Sequence, residues 1–254
     1  MILPPAICFS TILSGIKMFK GLYTHIPKTG GTSIKDALDP VRNELVITEN
    51  SAVIKEHSNM SHEHLKVLNF RKSNSMRKKE VIGEELWNKL YKFAFVRNPW
   101  DRYVSNWQWL ALRLGQRNSW IMRGWRGIDG HVSFKSFVKQ MGACYIDSPQ
   151  LHPYQHDKWH IRNQIHHLTD YDGNIILDHV GRFENLTEEF ETICKELEID
   201  ISLPHLNYFG HQEGLPMRQE KPHYSAYYTD ELVEIVKQRS QADISAFGYE
   251  FEWK

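Results

Sequence analysis

The sequence predicts an α/β fold, on three observations. Apolar and β-branched runs at 19–26, 93–96 and 175–183 have the length and composition of strands. Stretches with apolar residues three and four apart lie at 99–114, 186–197 and 229–246. Glycine and proline punctuate the joints between the two kinds of segment. A chain of 254 residues can bury one large core. Its 41% hydrophobic and 24% charged residues exclude the disordered, collagen-like and coiled-coil classes. Lysine plus arginine and aspartate plus glutamate number 31 each, so no nucleic-acid-coating surface is implied and any basic site is local. Cys8, Cys144 and Cys194 form no close pair, which argues against a disulfide scaffold and a four-thiolate zinc site and suits a reducing, cytoplasmic compartment.

The elements follow in order. Residues 1–17 are an apolar leader, with two prolines and too few residues to span a bilayer; its lysines follow the apolar stretch instead of preceding it, so no stable membrane insertion is expected. One domain is expected over 18–254. The strand at 19–26 runs into Pro27-Lys28-Thr29-Gly30-Gly31-Thr32-Ser33 and a short helix stopped by Pro40. Val46-Ile47 and Ala52-Val53-Ile54 are short strands, and the basic stretch 71–79 reads as a surface loop. Gly83 opens a helix, and Phe93-Ala94-Phe95-Val96 reads as a strand buried on both faces. Asn98-Pro99 breaks it and starts a helix to about Leu114. One helical candidate, 133–141, interrupts the irregular stretch 115–170. Residues 175–183 read as a third buried strand, the periodicity of 186–197 makes Cys194 a core residue, and one last helix covers about 229–246.

The glycine loop carries the first chemical signal. Two glycines between strand and helix let backbone N–H groups approach an anion, and the helix adds the positive end of its dipole. Lys28 supplies a point charge, and Thr29, Thr32 and Ser33 supply hydroxyls, so HIPKTGGTS forms a phosphate or sulfate cradle. A Walker A motif would place lysine after the second glycine; here it precedes both. The alternative is an ordinary glycine turn. The second signal is FVRNPWDR. Arg97 ends an apolar strand, where open α/β sheets place ligands, and Ser105 lies in the following helix, so the two could hold a second phosphate. The alternative is that Arg97 pairs with Asp101 and Arg102 is a solvated helix residue.

Together, HIPKTGGTS and FAFVRNPWDRYVS resemble the sulfotransferase superfamily, in particular carbohydrate sulfotransferase family 2, the heparan 2-O-sulfotransferase-like enzymes and their bacterial relatives. The similarity continues through GEELWNKLYKFAFVRNPW, DGNIILDHVGRFENL and HYSAYYTDELVEIV, leaving about 112–160 as an individual acceptor-side insertion. The resemblance implies a P-loop-like three-layer fold with a mainly parallel sheet between helices. It implies 3′-phosphoadenosine 5′-phosphosulfate (PAPS) as donor. Lys28, Thr29, Gly30, Gly31, Thr32 and Ser33 would hold its 5′-phosphosulfate, and Arg97 with Ser105 its 3′-phosphate. Lys28 would also meet the charge on the departing oxygen. The family's base histidine corresponds best to His57, with His62 and His64 as rivals.

This scheme requires no metal. His57, His62 and His64, or His152, His156 and His160, could in principle gather zinc, but neither trio brings a recognised motif or a cysteine, and a solvated or acceptor-facing cluster is the expected reading. Trp107, Trp109, Trp120, Trp125 and Trp159, interleaved with Arg113, Arg117, Arg123, Arg126 and Lys158, could line a groove for a carbohydrate or other hydroxyl acceptor, an anionic glycan suiting it best; the alternative for Trp107 and Trp109 is helix packing. Gln164, Arg182, Glu184 and the segment 221–224 are further places where the chain could meet acceptor or donor. A P-loop kinase-like phosphotransferase would show GK[ST] and an acidic magnesium ligand, neither of which is evident. An inactive nucleotide- or glycan-binding relative is the other competing class.

Overall fold

Alternation along two central strands decides what each face of the sheet buries. In this computed structural model, which describes residues 20–47, 52–55, 67–70, 74–116, 133–139, 160, 162–204 and 222–254, β1 (Gly21–Thr24) pairs in parallel with β5 (Tyr91–Val96), Tyr23 opposite Phe93 and Thr24 opposite Ala94. Tyr23, Phe93 and Phe95 point to one face, and Tyr23 stacks on Phe93 with centroids 5.3 Å apart. Leu22, Thr24, Lys92 and Ala94 point to the other. All of these residues are buried, as expected of a strand pair covered on both sides.

The chain divides into two compact units, one built from 1–96 and 164–205 and the other from 97–163 and 206–254. The first holds the six-stranded sheet, in the order β3-β2-β4-β1-β5-β6. Its remaining strands are β2 (Arg42–Ile47), β3 (Ala52–Lys55), β4 (Val67–Phe70) and β6 (His179–Arg182). Every neighbouring pair is parallel except β2 with β3. Helices α1 (Gly31–Leu38) and α6 (Leu186–Leu197) bury Ile34, Ala37, Leu38, Phe190, Ile193, Cys194 and Leu197 against the Tyr23 face. Burial pushes the Cys194 thiol up to about 11, so it is an inert packing group. The opposite face receives α2 (Ser75–Ile82) and α3 (Glu84–Lys89). There the Lys92 ammonium donates to the carbonyl of Leu90 at 2.6 Å and pairs with Asp178 at 2.7 Å. The fold is the three-layer α/β arrangement expected.

Two expectations for this unit need correction. The described part of 71–79 is helical, not a surface loop: the Asn74 side chain accepts from the Arg77 N–H at 2.8 Å and caps α2. Ser75 and Lys78, three apart on one helix face, are fully buried. The Lys78 Nζ donates to Thr24 Oγ1 at 2.7 Å, and Thr24 Oγ1 lies 3.3 Å from Ser75 Oγ. The stretch 175–183 is not one buried strand. The Asp170 carboxylate accepts from the N–H groups of Asp172 and Asn174 and turns the chain, Ile175 is 43% exposed, and only His179–Arg182 joins the sheet, as an edge strand.

The second unit is helical. It holds α4 (Pro99–Gln116), α5 (134–139), α7 (Asp230–Arg239) and α8 (Gln241–Phe247). The single terminal helix expected over 229–246 is two: Ser240, at φ −104 and ψ 17, donates its N–H to Val236 and accepts from Ile244, ending one helix and starting the next. An aromatic cluster fills this unit, with Phe134 4.9 Å from Tyr228 and Tyr228 5.2 Å from Phe251, centroid to centroid. The Tyr228 hydroxyl donates to the Trp100 carbonyl at 2.9 Å. No described helix is long and apolar enough to cross a membrane.

Burial holds the Lys78 ammonium well below its ordinary value of 10.5. Between the lowered folded value and 10.5, the unfolded chain binds a proton that the folded chain does not, so this group costs stability as pH falls through that window and costs nothing above it. Relative to Lys78→Met, the natural protein is therefore expected to gain stability as pH rises from 7 to 10, by at most about 1.4 kcal/mol per pH unit. Urea denaturation of both proteins across that range tests this; parallel curves would mean that Lys78 folds charged.

Candidate functional site

The segment that leaves β1 turns sharply before α1. Lys28 and Gly30 both adopt left-handed backbone, at φ 70 and φ 81. For lysine this conformation costs roughly 1 kcal/mol, and such strain concentrates where a site needs a particular geometry. The buried Thr29 hydroxyl donates to the Ile26 carbonyl at 2.9 Å, so its proton closes the turn. Gly30 occupies the cap position of α1, and the Ile34 N–H donates to its carbonyl at 3.1 Å. A glycine offers no side-chain acceptor to the first-turn N–H groups, and α1 has no acidic residue there. Every other described α-helix has a side-chain cap or a first-turn acid: Asn74, Glu84, Asp101, Ser133, Glu188, Asp230 or Asp243.

Both glycines are also held by crowding. A Cβ on Gly30 would lie 2.9 Å from Leu186 Cδ2 and 3.1 Å from Phe183 Cδ2. A Cβ on Gly31 would run into the His25 imidazole. Glycine thus serves both conformation and close approach at position 30, and close approach alone at position 31. The loop sits where the sheet changes direction. From β1 the chain goes on to β2 on one side, and from β5 to β6 on the other, so the strand order reverses between β1 and β5, the position at which open α/β sheets place ligands.

The second segment belongs to the helical unit and can be accounted for residue by residue. Arg97 follows the last residue of β5 in sequence and is buried. Its Nε donates to Asp101 at 2.7 Å, and its Nη2 lies 2.6 Å from the same carboxylate oxygen. Asn98 accepts from the Trp100 N–H at 3.1 Å and donates to the Glu250 carbonyl at 3.0 Å, while Pro99 takes the first helical position. The Trp100 indole donates to the Val233 carbonyl at 3.1 Å. Arg102 is not solvated: it is buried and donates to the carbonyls of His160 and Arg162 at 2.9 and 3.0 Å. Burial lowers its affinity for a proton, and Asp243 opposes that effect. Ser105, also buried, lies one turn beyond Asp101, so the two share a helix face. Asp101 therefore orients Arg97, and its spacing of four residues was the signal for this in the sequence.

The sequence model of the sulfotransferase family matches residues 18–250, across both units. The chain belongs to the sulfotransferase family. No curated protein matches it closely enough to count as a relative. Membership supports a transferase of the sulfotransferase type, acting on a hydroxyl acceptor.

In this sulfotransferase, Lys28, Thr29, Gly30, Gly31, Thr32 and Ser33 come together in one turn and the start of α1. Arg97 stands just before α4, paired with Asp101, and Ser105 is the seventh residue of that helix. His57, His62 and His64 lie outside the described residues, as do Trp120, Trp125, Trp159, Arg117, Arg123, Arg126, Lys158, Lys221, His152, His156 and the leader. Among the described residues no group of three or more histidines, cysteines or carboxylates could hold a metal ion. Trp107 and Trp109 are packing residues: Trp107 meets Phe134 and Tyr227 edge-on at 5.6 and 5.4 Å, and Trp109 stacks on His160 at 4.6 Å. Gln164 is fully buried, whereas Arg182 and Glu184 are exposed at the end of β6.

Asn98→Ala removes both the helix cap and the tie to Glu250. It is expected to destabilise the protein by about 1–2 kcal/mol, measured by chemical denaturation. A loss near zero would show that Pro99 and Asp101 define the helix start without the cap.

Proposed function

We propose that this sulfotransferase moves the sulfuryl group of PAPS to a carbohydrate hydroxyl by in-line transfer. The observation that carries the reading is the start of α1, whose glycine cap has no side chain, whose first turn holds no acidic residue and which a lysine in left-handed backbone precedes. The donor brings a sulfuryl group on a phosphate leaving group. The N–H groups and hydroxyls at 30–33 hold the 5′ end, and the Lys28 ammonium meets the negative charge that grows on the departing bridge oxygen. His57 takes the acceptor's hydroxyl proton as the new sulfur–oxygen bond forms and the bond to the bridge oxygen breaks. Arg97, oriented by Asp101, and Ser105 hold the 3′-phosphate. No metal enters this scheme. A reducing, cytoplasmic setting accords with the free, buried Cys194 thiol.

The site chemistry supplies the tests. Adenosine 3′,5′-bisphosphate is expected to raise the melting temperature where ATP with magnesium does not; stabilisation by ATP alone would point to a phosphotransferase. Transfer of radiolabelled sulfate from PAPS to a panel of neutral and anionic glycans separates an enzyme from an inactive binding relative.

Substitutions then assign the roles. Lys28→Ala is expected to lower kcat by about 100-fold or more, and His57→Ala by about 100- to 10,000-fold. Arg97→Ala is expected to raise the donor KM by about 10- to 100-fold, and Asp101→Ala to raise it by less. Full turnover in His57→Ala would move the base to His62, His64 or a carboxylate.

A further inference from the structure

His25 opens the HIPKTGGTS segment, and the transfer scheme gives it no task. It is the residue after β1, half-buried, between the sheet and the anion loop. Its ring stands edge-on to Tyr23, with centroids 6.0 Å apart, and its Nδ1 lies 3.5 Å from the Tyr23 hydroxyl. Tyr23 is itself fully buried and stacked on Phe93, so the imidazole leans on a group that the core holds rigidly. On its other side the ring lies against Gly31: a Cβ there would overlap Cε1 and Nδ1.

That contact explains a glycine which the backbone does not require. Gly31 has no positive φ, and it is the first residue of α1. Alanine in a helix is ordinarily better than glycine by about 1 kcal/mol. The imidazole, filling the space of the missing side chain, is what excludes it. Gly31 also carries the first N–H of the helix, one of the groups proposed above to meet the donor.

We propose that His25 is a positioning residue of the donor site: its imidazole, backed by Tyr23, fills the space of the absent Gly31 side chain and fixes where the first N–H groups of α1 stand. This rests on the reading that the loop binds the 5′ end of the donor. It differs from a general packing role because it couples two particular positions to donor affinity.

The test is a double-mutant cycle on the full chain, with adenosine 3′,5′-bisphosphate affinity measured by calorimetry and the melting temperature of each variant measured alongside. Gly31→Ala is expected to weaken binding about tenfold or more in the natural background, and His25→Ala about tenfold, beyond what any change in melting temperature accounts for. With His25→Ala already present, adding Gly31→Ala is expected to change affinity less than about twofold, because the new methyl enters vacated space. Equal Gly31→Ala losses in both backgrounds overturn the inference. So does a His25→Ala protein that melts lower but binds as tightly as the natural one. A natural protein that does not bind the nucleotide overturns the donor reading, and this inference with it. Should the alanine variants fail to fold, His25→Asn decides: donor KM is expected to rise by a larger factor than kcat falls, and an unchanged KM overturns the proposal.

Discussion

Because β1 and β5 pair in parallel, with Thr24 opposite Ala94, the segments that leave them emerge at the same edge of the sheet. Parallel pairing also requires each strand to be covered on both faces. Tyr23, Phe93 and Phe95 meet α1 and α6 on one side, and Leu22, Thr24 and Lys92 face the α2 and α3 side. The chain then moves off in opposite directions from the two strands, toward β2 from β1 and toward β6 from β5. The glycine loop depends on this arrangement: a turn with two left-handed residues stays in place only if the elements on either side are rigid.

The loop itself is shaped as much by missing atoms as by present ones. Phe183 and Leu186 close on Gly30, and His25 closes on Gly31, so side chains from both directions reach the backbone where a Cβ would stand. Thr29 spends its hydroxyl proton on the Ile26 carbonyl. At the start of α1 the cap is a glycine and the first turn holds no acidic residue, so the positive end of the helix dipole is not offset by its own first turn.

Cations elsewhere are held by oxygen atoms. Lys92 has two carbonyls and Asp178, Arg102 has the carbonyls of His160 and Arg162, and Arg97 has Asp101. Lys78 meets the Thr24 hydroxyl, and burial pushes its ammonium toward the neutral form. Of these, Arg97 alone belongs to the proposed chemistry. Its carboxylate partner sets the direction of the guanidinium.

The α/β class, the glycine loop, the helix after Asn98-Pro99 and the core role of Cys194 were legible in the sequence, because each follows from backbone chemistry or apolar periodicity within a few residues. Where 71–79 was read as a loop, its charge concealed an inward face: Ser75 and Lys78 are buried because Thr24 and the sheet lie there, and nothing local announces that. The run at 175–183 is apolar enough for a central strand, yet the Asp170 turn and its edge position leave only His179–Arg182 in the sheet. Ser240 divided a continuous helical pattern for a reason visible only in its backbone angles. Sequence alone thus determined where a glycine turn stands between a strand and a helix start, since glycine and helix-breaking residues mark such joints by their own chemistry. Only tertiary structure decided why Gly31 must be glycine and where Arg97 is directed, because both depend on neighbouring side chains that the chain brings up as it folds.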